Sequence, residues 1–222
     1  MFTKITVTKT TLTKTMTLIL GGTLLVFAAA WRQSPVPPAK QPDNTPNHTP
    51  NYTPDYTSDA QLRLPQHYRD WVYLSTGFDM SYNPGASADH HMFDNVFVNP
   101  EAYKAFLETG TWPDKTMMVL EVRGAQDKGS INQRGNYQDT EVMGIEVHVK
   151  DEARFPGKWA FFGFDDGKTA KMIPASASCY SCHAEHAAVD TTFVQFYPTL
   201  LPVARSKGTL SASYIKEAAE KK

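Results

Sequence analysis

Cysteine is scarce in this chain, with two residues among 222. Both stand in one run, Cys179-Tyr180-Ser181-Cys182-His183, so no sulfur remains for a disulfide elsewhere, a zinc cage or a separate thiol nucleophile. Net charge is almost absent as well, at −1, which removes the electrostatic case for nucleic acid or an acidic membrane surface as partner. Sustained helical periodicity is too sparse for a four-helix bundle. The apolar run from Met16 to Ala30, about fifteen residues, is a little short for a full membrane span.

What is present gathers around the cysteines. C-x-x-C-H is the pattern of covalent c-type haem attachment: two thiols one helical turn apart add across the two vinyl groups, and the following histidine reaches the iron. A disulfide or a thioredoxin-like pair is the competing reading of C-x-x-C. An export signal and an aromatic-rich domain suit haem better. Lys4, Lys9 and Lys14, the apolar run and the small-residue close Ala28-Ala29-Ala30 make residues 1–30 a secretory signal, with an uncleaved anchor as the alternative. Either places the domain outside the cytoplasm, in the periplasm. Residues 31–60 include a four-residue Asn/Thr/Pro rhythm from Pro35 to Tyr56, a spacer too poor in large apolar groups to offset its ordering entropy. Residues 61–222 form the haem domain.

Strand signals dominate that domain. Trp71 to Ser75, Met92 to Val98, Thr116 to Arg123, Val142 to Lys150 and Trp159 to Phe164 each read as strands, and Asn99-Pro100 opens a helix that Gly110 stops. In the third strand Met118, Leu120 and Val122 share a face, with Glu121 and Arg123 behind them. In the fourth, Ile145, Val147 and Val149 oppose Glu146, His148 and Lys150. Gly124 to Asp139 reads as a polar connection. Cys179 to Val189 has the composition of a short helix, which sets Cys179, Cys182, His183 and His186 at three- and four-residue spacing. The expectation is an α+β fold, mainly antiparallel β-sheet with a few helices, and a haem-binding helix near the C-terminus.

Cys179, Cys182 and His183 are thus the cofactor-binding residues for one covalent haem c, and His183 is the iron ligand. The sixth position could be open or filled by Met80, Met92, Met117, Met118, Met143, Met172, His67, His90, His91 or His148, none of which carries a signature of ligation. His186 lies on the same helix as His183 and can hardly reach the opposite face of one haem. Phe93, Phe97, Phe161, Phe162 and Phe164 are candidates for an apolar cap over the iron, with packing in the core as the alternative for each.

Several separated motifs occur together and in order: Leu64-Pro65-x-x-Tyr68-Arg69-Asp70-Trp71, Val96 to Tyr103, Lys150 to Phe155, Trp159-Ala160-Phe161, the C-x-x-C-H run and Phe196-Tyr197-Pro198. In this the chain resembles the cytochrome P-460 family and its sister group, the cytochromes c′-beta. The resemblance implies a periplasmic, mostly antiparallel β protein with one c-type haem, often a homodimer, working with a redox partner protein. It implies either hydroxylamine oxidation or, in the sister group, binding of nitric oxide at a five-coordinate iron. A lysine cross-linked to the haem edge marks the oxidising members. The corresponding position here is Leu120, with no lysine between Thr116 and Ala125, which points to binding of a small nitrogen oxide instead. The resemblance also makes Glu146 the distal, catalytic carboxylate, whereas strand alternation alone would turn its face to solvent. A simple electron-transfer cytochrome is the third expectation.

Overall fold

The computed structural model describes residues 52–80, 90–165 and 167–220. The proposed signal and the spacer up to residue 51 lie outside them. The final part of the expected spacer belongs to the folded domain. Tyr52 meets Trp71 edge-on with ring centroids 6.1 Å apart, while Tyr56 bridges to Leu62 and packs under the Arg154 guanidinium at 3.9 Å. The boundary drawn at Gln61 therefore moves back to Tyr52 at least. The proline rhythm concealed this, because composition averaged over a repeat does not reveal two rings four residues apart that find an aromatic wall.

A two-stranded ribbon joins β1 (Leu62–Arg63) to a late strand, Thr169–Ala170. Between them β2 (Val72–Phe78), β3 (Met92–Val98), β4 (Met117–Gln126), β5 (Tyr137–Lys150) and β6 (Trp159–Phe164) form a five-stranded antiparallel sheet in chain order; Thr169–Ala170 is β7. This is the α+β, mainly antiparallel architecture expected. β4 and β5 run further than expected, pairing through Gln126 and Tyr137 where a connection was read. Polar side chains there report an exposed hairpin end, and the ladder is made by the backbone regardless.

Helix α1 (Pro100–Thr109) starts with proline in its first turn and ends at Gly110, whose φ of +75° is the left-handed conformation that favours glycine. A side chain at Gly110 would also meet Lys207 Cβ at 2.7 Å. Asn99 precedes α1 but does not cap it: its Oδ1 accepts the Met117 N–H at 2.8 Å, stitching the helix start to β4. The remaining helices are α2 (Ser178–His186), α3 (Leu201–Lys207) and α4 (Ala212–Glu220).

Both faces of the sheet are covered along much of β4 to β6. One face presents Met117, Val119, Val147, Val149, Phe162 and Phe164 to a core shared with Leu62, Tyr68 and Trp71. The other presents Val98, Met118 and Trp159 to α1, α3 and the segment after α2, through Phe106, Leu200 and Ala204. His148 and Lys150, expected on a wet face, are consequently buried.

The first face also buries Glu121, whose carboxylate accepts hydrogen bonds from Tyr68 Oη, Arg123 Nε and Arg69 Nε, the last at 2.7 Å. Burial alone would raise this carboxyl. The hydrogen bonds from Tyr68, Arg123 and Arg69 outweigh it and hold Glu121 below the usual glutamate value. A carboxyl depressed in the folded state contributes stability in full above its ordinary range and loses it as pH falls through the depressed value. Glu121→Gln should cost about 2–3 kcal/mol, the scale of charge-assisted hydrogen bonds, in urea denaturation at neutral pH. The deficit should shrink under acid; a deficit unchanged down to pH 3 would contradict the assignment.

Candidate functional site

The site is built where α2 faces the second side of the sheet. Tyr180, between the two cysteines, donates its hydroxyl to the Ile173 carbonyl at 3.0 Å and accepts the Phe161 N–H at 3.3 Å. The helix is thereby tied to β6 at the level of its first turn. Cys179 and Cys182 are free, partly exposed thiols. His183, one position on, packs its ring against Phe193 and Phe161, with centroids 4.2 and 4.6 Å away.

His183 Nδ1 lies 2.7 Å from the carbonyl oxygen of Thr191. A carbonyl can only accept, so Nδ1 carries the proton and Nε2 keeps its lone pair. Burial lowers the pKa of the ring, opposed by the Thr191 hydrogen bond, so the imidazole is neutral at pH 7 and competent as a metal ligand.

His183 lines a cavity of about 520 Å³, within the usual range for cofactor pockets. Its sheet wall follows the ladder: Asp94 and Val96 of β3, Met118, Leu120 and Val122 of β4, Glu146 and His148 of β5, and Phe161 of β6. Leu120 stands directly opposite Glu146, and Met118 opposite His148. Phe193, Phe196 and Tyr197 close the other side. Neither cysteine is part of the lining; both sit on the helix that carries His183.

Glu146 therefore lines the cavity, as the resemblance implied, and is also solvent-exposed, as alternation suggested. Partial desolvation beside the cavity walls raises its pKa. Asp94, which sequence reasoning did not select, shares the wall; burial and then the charge of Glu146 raise it too. Following Glu146 across the ladder would have found Asp94, but only once the register was known.

Of the five candidate cap phenylalanines, only Phe161 lines the cavity. Phe162 and Phe164 lie in the core on the opposite face, Phe97 packs against Tyr68 and Tyr73, and Phe93 packs against Phe78. Period two decides this: Asp94 and Val96 face the cavity, so Phe93 and Phe97 cannot.

Among the candidate sixth ligands, Met80, Met92, Met118 and His148 reach the lining. His148 stacks on Phe161 at 4.0 Å and meets His183 edge-on at 5.3 Å. Rings in such contact are neighbours on one side, whereas two axial ligands must face each other across a macrocycle. Met118 is part of the packed core, and Met80 folds its thioether over Gly77.

The residues present fit a haem: a neutral histidine with one free nitrogen on a largely apolar cavity, following two free thiols on one short helix. Residues 65–194, more than half of the chain, match the family model described as Cytochrome P460. The chain belongs to the cytochrome P460 family. It is accordingly a haem-binding cytochrome, and the matched span includes the sheet, the C-x-x-C-H helix and the Thr191 turn, while α3 and α4 lie beyond it. Comparison with curated proteins gave no match.

Because the folded state of this cytochrome P460 member holds the Glu146 proton more tightly than the unfolded chain does, stability falls as pH rises from the ordinary value of 4.5 through the raised one. Glu146→Gln should flatten that part of the pH–stability profile, measured by urea denaturation at a series of pH values. Asp94, raised as well, should leave a residual slope of the same sign. A profile superimposable on the wild type would contradict the raised Glu146 carboxyl.

Proposed function

We propose that this protein is an exported mono-haem c cytochrome that binds nitric oxide or a related small nitrogen oxide. Cys179 and Cys182 would hold the group through two thioethers, each formed by adding S–H across a vinyl double bond with no net oxidation, and His183 would ligate through Nε2. Haem, when bound, would supply an iron able to take a small ligand and to exchange electrons with a partner protein.

The observation that carries this reading is Leu120 on the cavity wall, paired with Glu146. A leucine has no nitrogen with which to form a protein cross-link to a haem edge. With Val96 and Val122 it makes an apolar wall that excludes water and favours small uncharged ligands. Desolvation beside that wall raises the Glu146 pKa, which suits its carboxyl to give or take a proton at a bound nitrogen oxide. Asp94 stands by as a second carboxyl. Hydroxylamine oxidation remains the second reading, favoured by those same two acids. Periplasmic location and a homodimer complete the proposal, the first supported by the leader in the sequence and both by the family resemblance.

Absorption spectra of the oxidised and dithionite-reduced protein, with and without nitric oxide, test this. The expected result is an ordinary high-spin spectrum that changes on adding the gas, with negligible turnover of hydroxylamine by an added electron acceptor. A red-shifted ferrous Soret band with rapid turnover would instead establish the cross-linked oxidase. A low-spin spectrum indifferent to nitric oxide would make the protein an electron carrier, with Met80, Met92 or Met118 as the ligand to examine first.

A further inference from the structure

The turn that presents the Thr191 carbonyl to His183 is gripped from two sides by residues outside the cavity. Val189 and Thr192 close it through paired backbone hydrogen bonds of 2.9 and 3.4 Å, with Asp190 in the left-handed region at φ +52°. Such a conformation is unfavourable for a residue other than glycine, though aspartate tolerates it better than most, and surrounding contacts must hold it.

Two contacts do so. Lys150, 7% exposed at the end of β5, pairs its ammonium with Asp190 at 3.3 Å and donates to the Trp112 carbonyl at 2.7 Å. Glu152 lies 3.6 Å from the same ammonium. Trp112, also buried, donates its indole N–H to Thr192 Oγ1 at 2.8 Å, and that hydroxyl donates onward to the Val189 carbonyl at 2.8 Å. One fully buried hydroxyl thus ties both ends of the turn to the indole, and one buried ammonium ties its strained residue to β5.

Burying an ammonium is costly, and an apolar side chain of similar volume often serves stability as well or better. Position is what the charge secures here. His148, on the same strand face as Lys150, adds a contact between its Nε2 and Thr191 Oγ1 at 3.3 Å.

We propose that Lys150 and Trp112 are positioning residues for His183: acting through Asp190 and Thr192, they aim the Thr191 carbonyl at Nδ1. This rests on reading His183 as the iron ligand. The hydrogen bond to Thr191 gives the ring partial imidazolate character, which makes Nε2 a stronger donor and favours the oxidised metal. Loosening the turn through Lys150, Asp190 or Trp112 weakens that donation without substituting a residue of the cavity.

The test uses the haem-loaded protein and compares Lys150→Met, Asp190→Asn and Trp112→Phe with the wild type. Lys104→Met, at an exposed lysine of α1, is the control. Resonance Raman of the ferrous form reports the iron–histidine stretch, identified by its shift on labelling histidine with nitrogen-15; a redox titration gives the potential. The three turn variants should move the stretch to lower frequency and the potential upward, and the control should move neither. Asp190→Asn breaks the ion pair without emptying buried volume, so it keeps the test alive should Lys150→Met fail to fold. Folded turn variants with wild-type stretch and potential overturn the positioning role alone. A wild-type protein lacking any histidine-sensitive stretch overturns the ligand assignment, and the positioning role with it.

Discussion

The hydrogen bond from His183 to the backbone of Thr191 is the interaction on which the site depends. It selects which ring nitrogen carries the proton, leaves the other free, and aims that nitrogen at the cavity. Everything around it serves to keep donor and acceptor in place: Tyr180 ties α2 to β6, and Ser211 at the start of α4 bonds back to the Ala187 carbonyl at 2.6 Å just past the end of α2. His186 and Glu217 join the same two helices at 3.0 Å. A short helix with almost no buried residues of its own is therefore fixed by hydrogen bonds at both ends, since packing alone would not fix it.

The sheet divides the labour between its faces. On one, a dry aromatic core and the Glu121 ion cluster consolidate the ladder. On the other, the same strands trade core for cavity along their length, so that Met118 packs under the helices while Leu120 and Val122 face open space. Charge follows the same logic. Glu121 is surrounded by three donors and stays ionised, whereas Glu146 and Asp94 face apolar walls and hold their protons more tightly. Carboxyls of one sheet thus have opposite properties according to the face each occupies.

Much of this was legible beforehand. The β3 strand and α1 with its glycine stop emerged where proline, glycine and alternation placed them, and C-x-x-C-H marked its own helix because the spacing is chemically restrictive. Reading failed where alternation was taken to mean water on the polar side. His148 and Lys150 are polar but buried, because α2 and the Val189–Thr192 turn cover that face, and no local pattern announces a tertiary cover. Phe93 and Phe97 stayed undecided between cap and core for the complementary reason: aromatic character signals packing without saying which face. Thr191 acts through its carbonyl, which every residue possesses, so no side-chain pattern could have singled it out.

We propose a haem held covalently at Cys179 and Cys182 on the helix that carries His183. The intact mass of the purified protein after denaturation and acid–acetone extraction tests it most directly. The account predicts the mass of the polypeptide plus one haem, retained through extraction. A bare polypeptide mass, with the pigment released into the organic phase, would contradict it.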